Sequence, residues 1–245
     1  MSAPPQSPTD QADGLPEVVE ELLAAAHHLA GLGLSPGTSG NVSVRVAADE
    51  ADGDGGERVW MSASGVSLAS LTGADLVQLV PDPAAPDGYA PLPGPRPTKE
   101  AGLHLAMYAR DPRARCVVHL HSPRAVAVSC LEPWSDWTAL PPLTPYLVMR
   151  VGSVPLISYA PPGDADQARA VREDDRAFAA VLLANHGPLV AGGAVAQAVD
   201  RAVEVEEAST VQLLLGDRPG VRLLPPGSAR ELAHRYEQHW GPAGG

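Results

Sequence analysis

Residues 98–121 read TKEAGLHLAMYARDPRARCVVHLH, and the fold class turns on this stretch. Its first half, TKEAGLHLAMYAR, reads as a helix, and its end, CVVHLH, as a short apolar strand. The alternation continues downstream. A helix at PRAVAVSCL and a Pro- and Trp-bearing connection lead to a strand at VPLISYAP. A helix through QARAVREDDRAF, strands at AVLLAN and PLVAGG, and a long helix AVAQAVDRAVEVEEASTVQLLLG follow. Such alternation predicts an α/β chain with a mixed central sheet and helices on both faces.

Upstream, a helix is expected from Pro16, with Val18, Val19, Leu22, Leu23, Ala26 and Leu29 near helical spacing and Glu17, Glu20 and Glu21 in its first turns. Gly31 and Gly33 end it. The segment SPGTSGNVSVRV passes from a turn into alternating Val42, Val44 and Val46, the pattern of a half-buried strand. A second strand is expected at RVWMSAS, with the acidic ADEADGDGGE between them as a solvated hairpin tip that lacks the spacing of a calcium loop. A short strand LVQLV then enters a proline-rich loop over 82–97. The resulting division is a disordered tail at 1–15, one domain at 16–216, and a C-terminal extension at 217–245 whose ARELAHRYEQHW predicts a last amphipathic helix.

A chain of 245 residues suits one sizeable α/β domain. The net charge of −12, without a basic block, argues against a nucleic-acid partner. No stretch reaches the roughly 20 apolar residues of a membrane span, and the N-terminus has neither a basic start nor an apolar run, so a cytoplasmic location is expected. Cys116 and Cys130 lie in apolar sequence and read as reduced core residues.

Residues two apart on an extended strand share a face, so His119 and His121 can turn two imidazoles toward one point. His186, in ANHG, stands where the strand AVLLAN runs out into a turn, and Glu100 lies at the start of a helix. Three imidazoles and a carboxylate with one labile position make a catalytic zinc site. Plainer readings exist: an HxH pair can simply pack in a strand, and an acid at a helix start can serve as a cap. His27, His28, His104, His234 and His239 read as surface or core residues, with His104 set apart because it shares a helix face with Glu100. A second constellation is a set of small-residue turns: Thr38, Ser39, Gly40 and Asn41; Ser64 and Gly65; Thr98 and Lys99. Hydroxyls, exposed amides, a helix start and a lysine are what a phosphate needs, although each turn alone is an ordinary turn.

The order GTSGNVSVR, MSASG, PTKE, VVHLHS and ANHG, followed by a long helix with EVEE, resembles the class II aldolase and adducin-head family from about Leu15 to Gly216. Within that family, PTKEAGLHLAMY, HLHSPRAVAVSCL, LPPLTPYLVMRVG and LLANHGPLVAG are similar to the branch of 3-oxo-tetronate 4-phosphate decarboxylases. The resemblance implies a three-layer α/β fold with a mixed, largely antiparallel central sheet flanked by helices. It implies one Zn²⁺ per chain on His119, His121 and His186, with Mn²⁺ or Co²⁺ as alternatives. Glu100 would be the acid/base group and a metal ligand until substrate displaces it. Asn41, Ser64, Gly65, Thr98 and Lys99 would cradle the phosphate of a small sugar-acid substrate. Thr98 and Lys99 stand where the family's aldolases usually have two serines, which favours the decarboxylase branch.

A homotetramer is also implied, in which Tyr146 would act across an interface. The expected reaction is decarboxylation to dihydroxyacetone phosphate and carbon dioxide through an enediolate, protonated at C2 by a Glu100 whose pKa partial burial is expected to raise. The alternatives are a sugar-phosphate aldolase of L-fuculose- or pentulose-phosphate type, an epimerase, or a non-catalytic scaffold. Four convergent ligands argue against the scaffold.

Overall fold

The computed structural model describes residues 15–47 and 56–242. Its centre is an 8-stranded sheet. In chain order the strands are β1 (Asn41–Val46), β2 (Arg58–Ser62), β3 (Leu76–Pro81), β4 (Tyr89–Pro91), β5 (Cys116–His119), β6 (Leu156–Ile157), β7 (Ala180–Leu183) and β8 (Gly187–Gly192). Across the sheet they run β4-β3-β2-β1-β5-β8-β7-β6. Every pairing is antiparallel except β6 with β7.

The period of two along each strand builds two cores. Val42, Val44, Cys116, Val118, Leu182 and Val190 face one helical layer, formed by α1 (Glu17–Gly31), α3 (Pro123–Ser129), α4 (Pro145–Arg150) and α6 (Val195–Leu215). Val59, Met61, Val117, Val181, Leu183 and Leu189 face the other, formed by α2 (Ala101–Arg110) and α5 (Ala165–Glu173). The molecule therefore has three layers, helix on sheet on helix. Leu22, Leu29 and Leu182 are among the side chains wholly removed from solvent, each contributing roughly 1.5–3 kcal/mol of hydrophobic stabilisation. No helix among the described residues is long and apolar enough to cross a membrane.

Several sequence expectations are corrected. β1 is not half-buried: Ser43, on the face opposite Val42 and Val44, is also fully buried. Its alternation reflects a polar side chain with a buried partner. The 82–97 stretch is not loop throughout, since Tyr89–Pro91 pairs with β3 as an edge strand, where a proline's missing N–H leaves no central ladder bond broken. The Pro- and Trp-bearing connection contains α4, started by Thr144, whose hydroxyl accepts from Leu147 N, and by Pro145 in the first turn. The strand expected at VPLISYAP shortens to Leu156–Ile157. Strand β5 stops at His119, so His121 sits just beyond it.

Cys116 is buried as expected, but Cys130 is exposed, because it lies at the C-terminal end of α3, past the buried face. In the C-terminal region α7 (Pro226–Arg235) packs Ala229 and Ala233 against Val148 of α4. The expected tail at 1–15 and hairpin tip at 48–57 fall largely outside the described residues.

Candidate metal centre and its buried support

Five chain segments meet at one end of the sheet. Asn41 begins β1 opposite His119 at the end of β5. Val42 N donates to Ser62 Oγ at the end of β2, and Ala63 bridges to Pro97, which brings Thr98–Glu100 alongside. The β7–β8 turn brings His186. Two backbone features make that turn possible. Asn185 is left-handed at φ 55, and Gly187 has φ 153, where a Cβ would lie 2.4 Å from the Leu120 carbonyl oxygen. Only glycine allows so close an approach. His186 N also donates to Ser129 Oγ at 3.2 Å.

Four side chains converge there. His119 Nε2 and His186 Nε2 each lie 3.1 Å from His121 Nε2. Glu100 Oε2 lies 3.3 Å from His119 Nε2, and its Oε1 lies 3.0 Å from His186 Nε2. One donor atom from each of Glu100, His119, His121 and His186 falls within 4.8 Å of the others. A tetrahedron with Zn–N and Zn–O bonds near 2.0–2.1 Å has edges of about 3.3–3.4 Å; the separations of 3.0–3.3 Å lie close to such edges, and the widest, within 4.8 Å, would have to draw in around a divalent cation. His119 Nδ1 donates to the Pro188 carbonyl at 2.9 Å, which leaves the Nε2 lone pair facing the centre, as metal-ligating histidines require.

Burial sets the electrostatics. It pushes His119 down to about 4, against the opposing pull of Glu100, and pushes His121 down as well. Both are neutral and free to ligate at neutral pH. Glu100 departs from its expectation. Burial acts to raise its pKa, but the His186 hydrogen bond, the His119 imidazole and the Asn41 amide outweigh burial and hold the carboxyl below the usual carboxylate range.

The other sequence-selected residues are distributed as follows. Asn41 is buried, with Nδ2 donating to Glu100 Oε2 at 2.7 Å. Thr98 is buried, and its Oγ1 accepts from Glu100 N at 3.3 Å. Ser64 N donates to Arg96 O beside Gly65, which has a φ of 81 and nothing within 4 Å of where a Cβ would lie. Thr38, Ser64 and Lys99 are exposed. Tyr146, 55% exposed on α4, sits against the Arg150 guanidinium rather than the four-residue cluster.

Sequence reading missed a buried polar chain behind Glu100. His104 Nε2 lies 2.6 Å from Asn41 Oδ1, and His104 Nδ1 lies 2.7 Å from Ser43 Oγ, which is 2.8 Å from Tyr108 OH. The signal for it was present: Glu100, His104 and Tyr108 repeat every four residues on a helix, and Asn41 and Ser43 alternate on a strand. Four helical residues rise about 6 Å and two strand residues about 6.6–6.8 Å, so the two rows stay in step.

Comparison with known proteins places this geometry in context. Residues 20–213 match the family model described as Class II Aldolase and Adducin N-terminal domain. A 3-oxo-tetronate 4-phosphate decarboxylase of Escherichia coli (strain K12) is 42% identical over 188 residues, covering 74% of this chain and 86% of that protein. One from Cupriavidus necator is 33% identical over 228 residues, covering 90% and 96%. The crystal structure of YgbL from Escherichia coli superimposes with a TM-score of 0.77 at 34% identity, covering 87% of this chain and 96% of that one.

Proposed function

The chain belongs to the class II aldolase and adducin family and is a lyase within it, and on that premise we propose that it decarboxylates 3-oxo-tetronate 4-phosphate to dihydroxyacetone phosphate and carbon dioxide. The observation that carries the chemistry is the meeting of Glu100, His119, His121 and His186 at the sheet end. The choice of reaction is supported by the decarboxylase relatives.

His119, His121, His186 and, in the resting site, Glu100 would hold one divalent cation per chain. The three imidazoles and one carboxylate suit Zn²⁺, with Mn²⁺ and Co²⁺ as alternatives. When bound, the cation supplies Lewis-acid polarisation of a carbonyl oxygen. The substrate is a β-keto acid, so breaking C1–C2 sends the bonding pair toward the C3 carbonyl as carbon dioxide leaves, and C2 then needs a proton. Glu100 is the group assigned to deliver it.

Its depressed pKa in the resting site does not bar that role, because His186 and His119, two of the three neighbours behind the depression, are contacts that substrate would replace, while the Asn41 bond stays. Once substrate oxygens replace the His186 and His119 contacts, the burial of Glu100 remains and an anionic ligand is added, and both drive its proton affinity up. Asn41 Nδ2 spends one N–H on Glu100 and keeps a second for substrate. Thr38, Ser64, Gly65, Thr98 and Lys99, gathered at the same end of the sheet, are assigned to the phosphate. Assembly as a homotetramer, with Tyr146 reaching a neighbouring site, completes the proposal.

The test is a substrate panel on the metal-loaded full chain: 3-oxo-tetronate 4-phosphate, L-fuculose 1-phosphate and a pentulose phosphate. Carbon dioxide with dihydroxyacetone phosphate from the first alone is the expected result. Aldehyde release from either sugar phosphate, with the tetronate inert, would replace the decarboxylase by an aldolase.

A further inference from the structure

The geometry points to His104 as a positioning residue: in its neutral Nε2–H form it fixes the orientation of the Asn41 amide, and through Asn41 the carboxylate of Glu100. This inference rests on the proposed acid/base role of Glu100 for its effect on turnover, and on the structure alone for its proton arrangement.

Chemistry fixes the direction of every bond in the chain. An ionised carboxylate only accepts, so Asn41 must present Nδ2 to Glu100 Oε2 at 2.7 Å and therefore turn Oδ1 toward His104. An amide oxygen also only accepts, so His104 must carry its proton on Nε2, 2.6 Å away. His104 is wholly buried, and burial first, with the nearby His119 second, holds it down to about 3. A neutral ring protonated on Nε2 has a bare Nδ1, so Ser43 Oγ must donate to it across 2.7 Å. Ser43 then accepts from Tyr108 OH at 2.8 Å, a phenol that burial keeps protonated far above the ordinary range. Donors thus run in one sense from Tyr108 to Glu100, and no member can reverse without leaving two acceptors or two donors face to face in a dry interior, at a cost no neighbour offsets.

The consequence is specific. Without the His104 donor, the Asn41 amide loses the partner that distinguishes its oxygen from its nitrogen. Its oxygen can then turn toward Glu100, placing two acceptors together and pushing the carboxylate off the position shared with His119 and His186. Outer partners of this kind typically change activity or metal affinity by about 10- to 100-fold when removed.

The experiment uses the zinc-loaded full chain with ¹⁵N-labelled histidine. The His104 ring resonances, assigned by subtraction of the His104→Gln spectrum, are expected to show a protonated Nε2 and a bare Nδ1 between pH 6 and 8. In kinetics, His104→Leu should lower kcat by about 10- to 100-fold with KM little changed and zinc content intact. His104→Gln, whose side-chain amide can replace the Nε2 donor, should recover most of the loss. If His104→Leu does not fold, Ser43→Ala replaces it: the ring is expected to keep its proton on Nε2, held there by Asn41 Oδ1, and kcat to fall because Nδ1 has lost the donor that anchors the ring. A proton on Nδ1 in the wild type, unchanged kcat in the folded variants, or a Gln variant no better than Leu overturns the inference. A wild type inert toward 3-oxo-tetronate 4-phosphate counts against the proposed reaction instead, and the ring resonances still decide the His104 assignment.

Discussion

Glu100 Oε1 lies 3.0 Å from His186 Nε2, so the start of α2 and the β7–β8 turn meet at a single atom pair. The same carboxylate reaches His119 with its other oxygen. One acid therefore ties together two histidines far apart in sequence, and the site stands or falls as a unit.

Removing a ligand should remove metal and turnover together. His119→Ala and His186→Ala are each expected to lower zinc affinity by at least about 100-fold and to lose the stabilisation that saturating zinc gives the wild type, about 2.7 kcal/mol at 100 times Kd. Metal content after dialysis, read beside activity and melting temperature, checks this. Full activity in a metal-free variant would remove that histidine from the site.

Glu100→Gln keeps the shape and an acceptor for Asn41 but cannot exchange a proton. Turnover should fall by about 10²- to 10⁴-fold while KM for the phosphorylated substrate stays within a few fold. Steady-state kinetics on metal-saturated protein separates the two parameters. A rate equal to wild type would exclude Glu100 as the proton donor.

Lys99 is exposed beside the buried Thr98 and Glu100. Lys99→Ala should raise KM by roughly 10-fold, with kcat nearly unchanged, because a phosphate contact would contribute binding shared by the ground and transition states. A pure kcat defect would argue against a phosphate contact.

The buried imidazoles make stability of the metal-free chain depend on pH in a definite sense. An unfolded histidine titrates at about 6.5, whereas burial takes His119 down to about 4 and His104 down to about 3. The unfolded state binds more protons in that window. Their contribution is complete above about 6.5 and is lost as pH falls toward the folded values, by at most about 1.4 kcal/mol per pH unit for each group. Glu100, also depressed, adds to the loss below the ordinary carboxylate range. Urea midpoints at pH 7.5, 6 and 5 should fall in order; a flat series would contradict neutral, buried rings.

The layers and most elements were legible because apolar period and turn chemistry are local. The helix–strand alternation around residues 98–121 marked a sheet covered on both faces, and Val42, Val44 and Val46 marked one buried face of β1. What stayed hidden depended on partners. Ser43 resembles a solvent-facing residue until α2 covers it, and His104 resembles core filler until Asn41 is brought across from β1. The sign of the Glu100 shift was missed for the same reason. Burial can be guessed from a helix start, but the competing hydrogen bonds from His186 and Asn41 exist only once distant segments meet. Thr144–Pro145 is a local helix-start signal even inside the Pro- and Trp-bearing connection.

The most direct measurement is carbon dioxide and dihydroxyacetone phosphate release from 3-oxo-tetronate 4-phosphate, followed while metal-stripped protein is titrated with zinc. Equimolar release of both products, absent in chelator and rising in proportion to zinc until one ion per chain, is the expected result. No release from protein holding one zinc per chain, or full release from protein holding none, would contradict a metal-dependent decarboxylase at the Glu100, His119, His121 and His186 site.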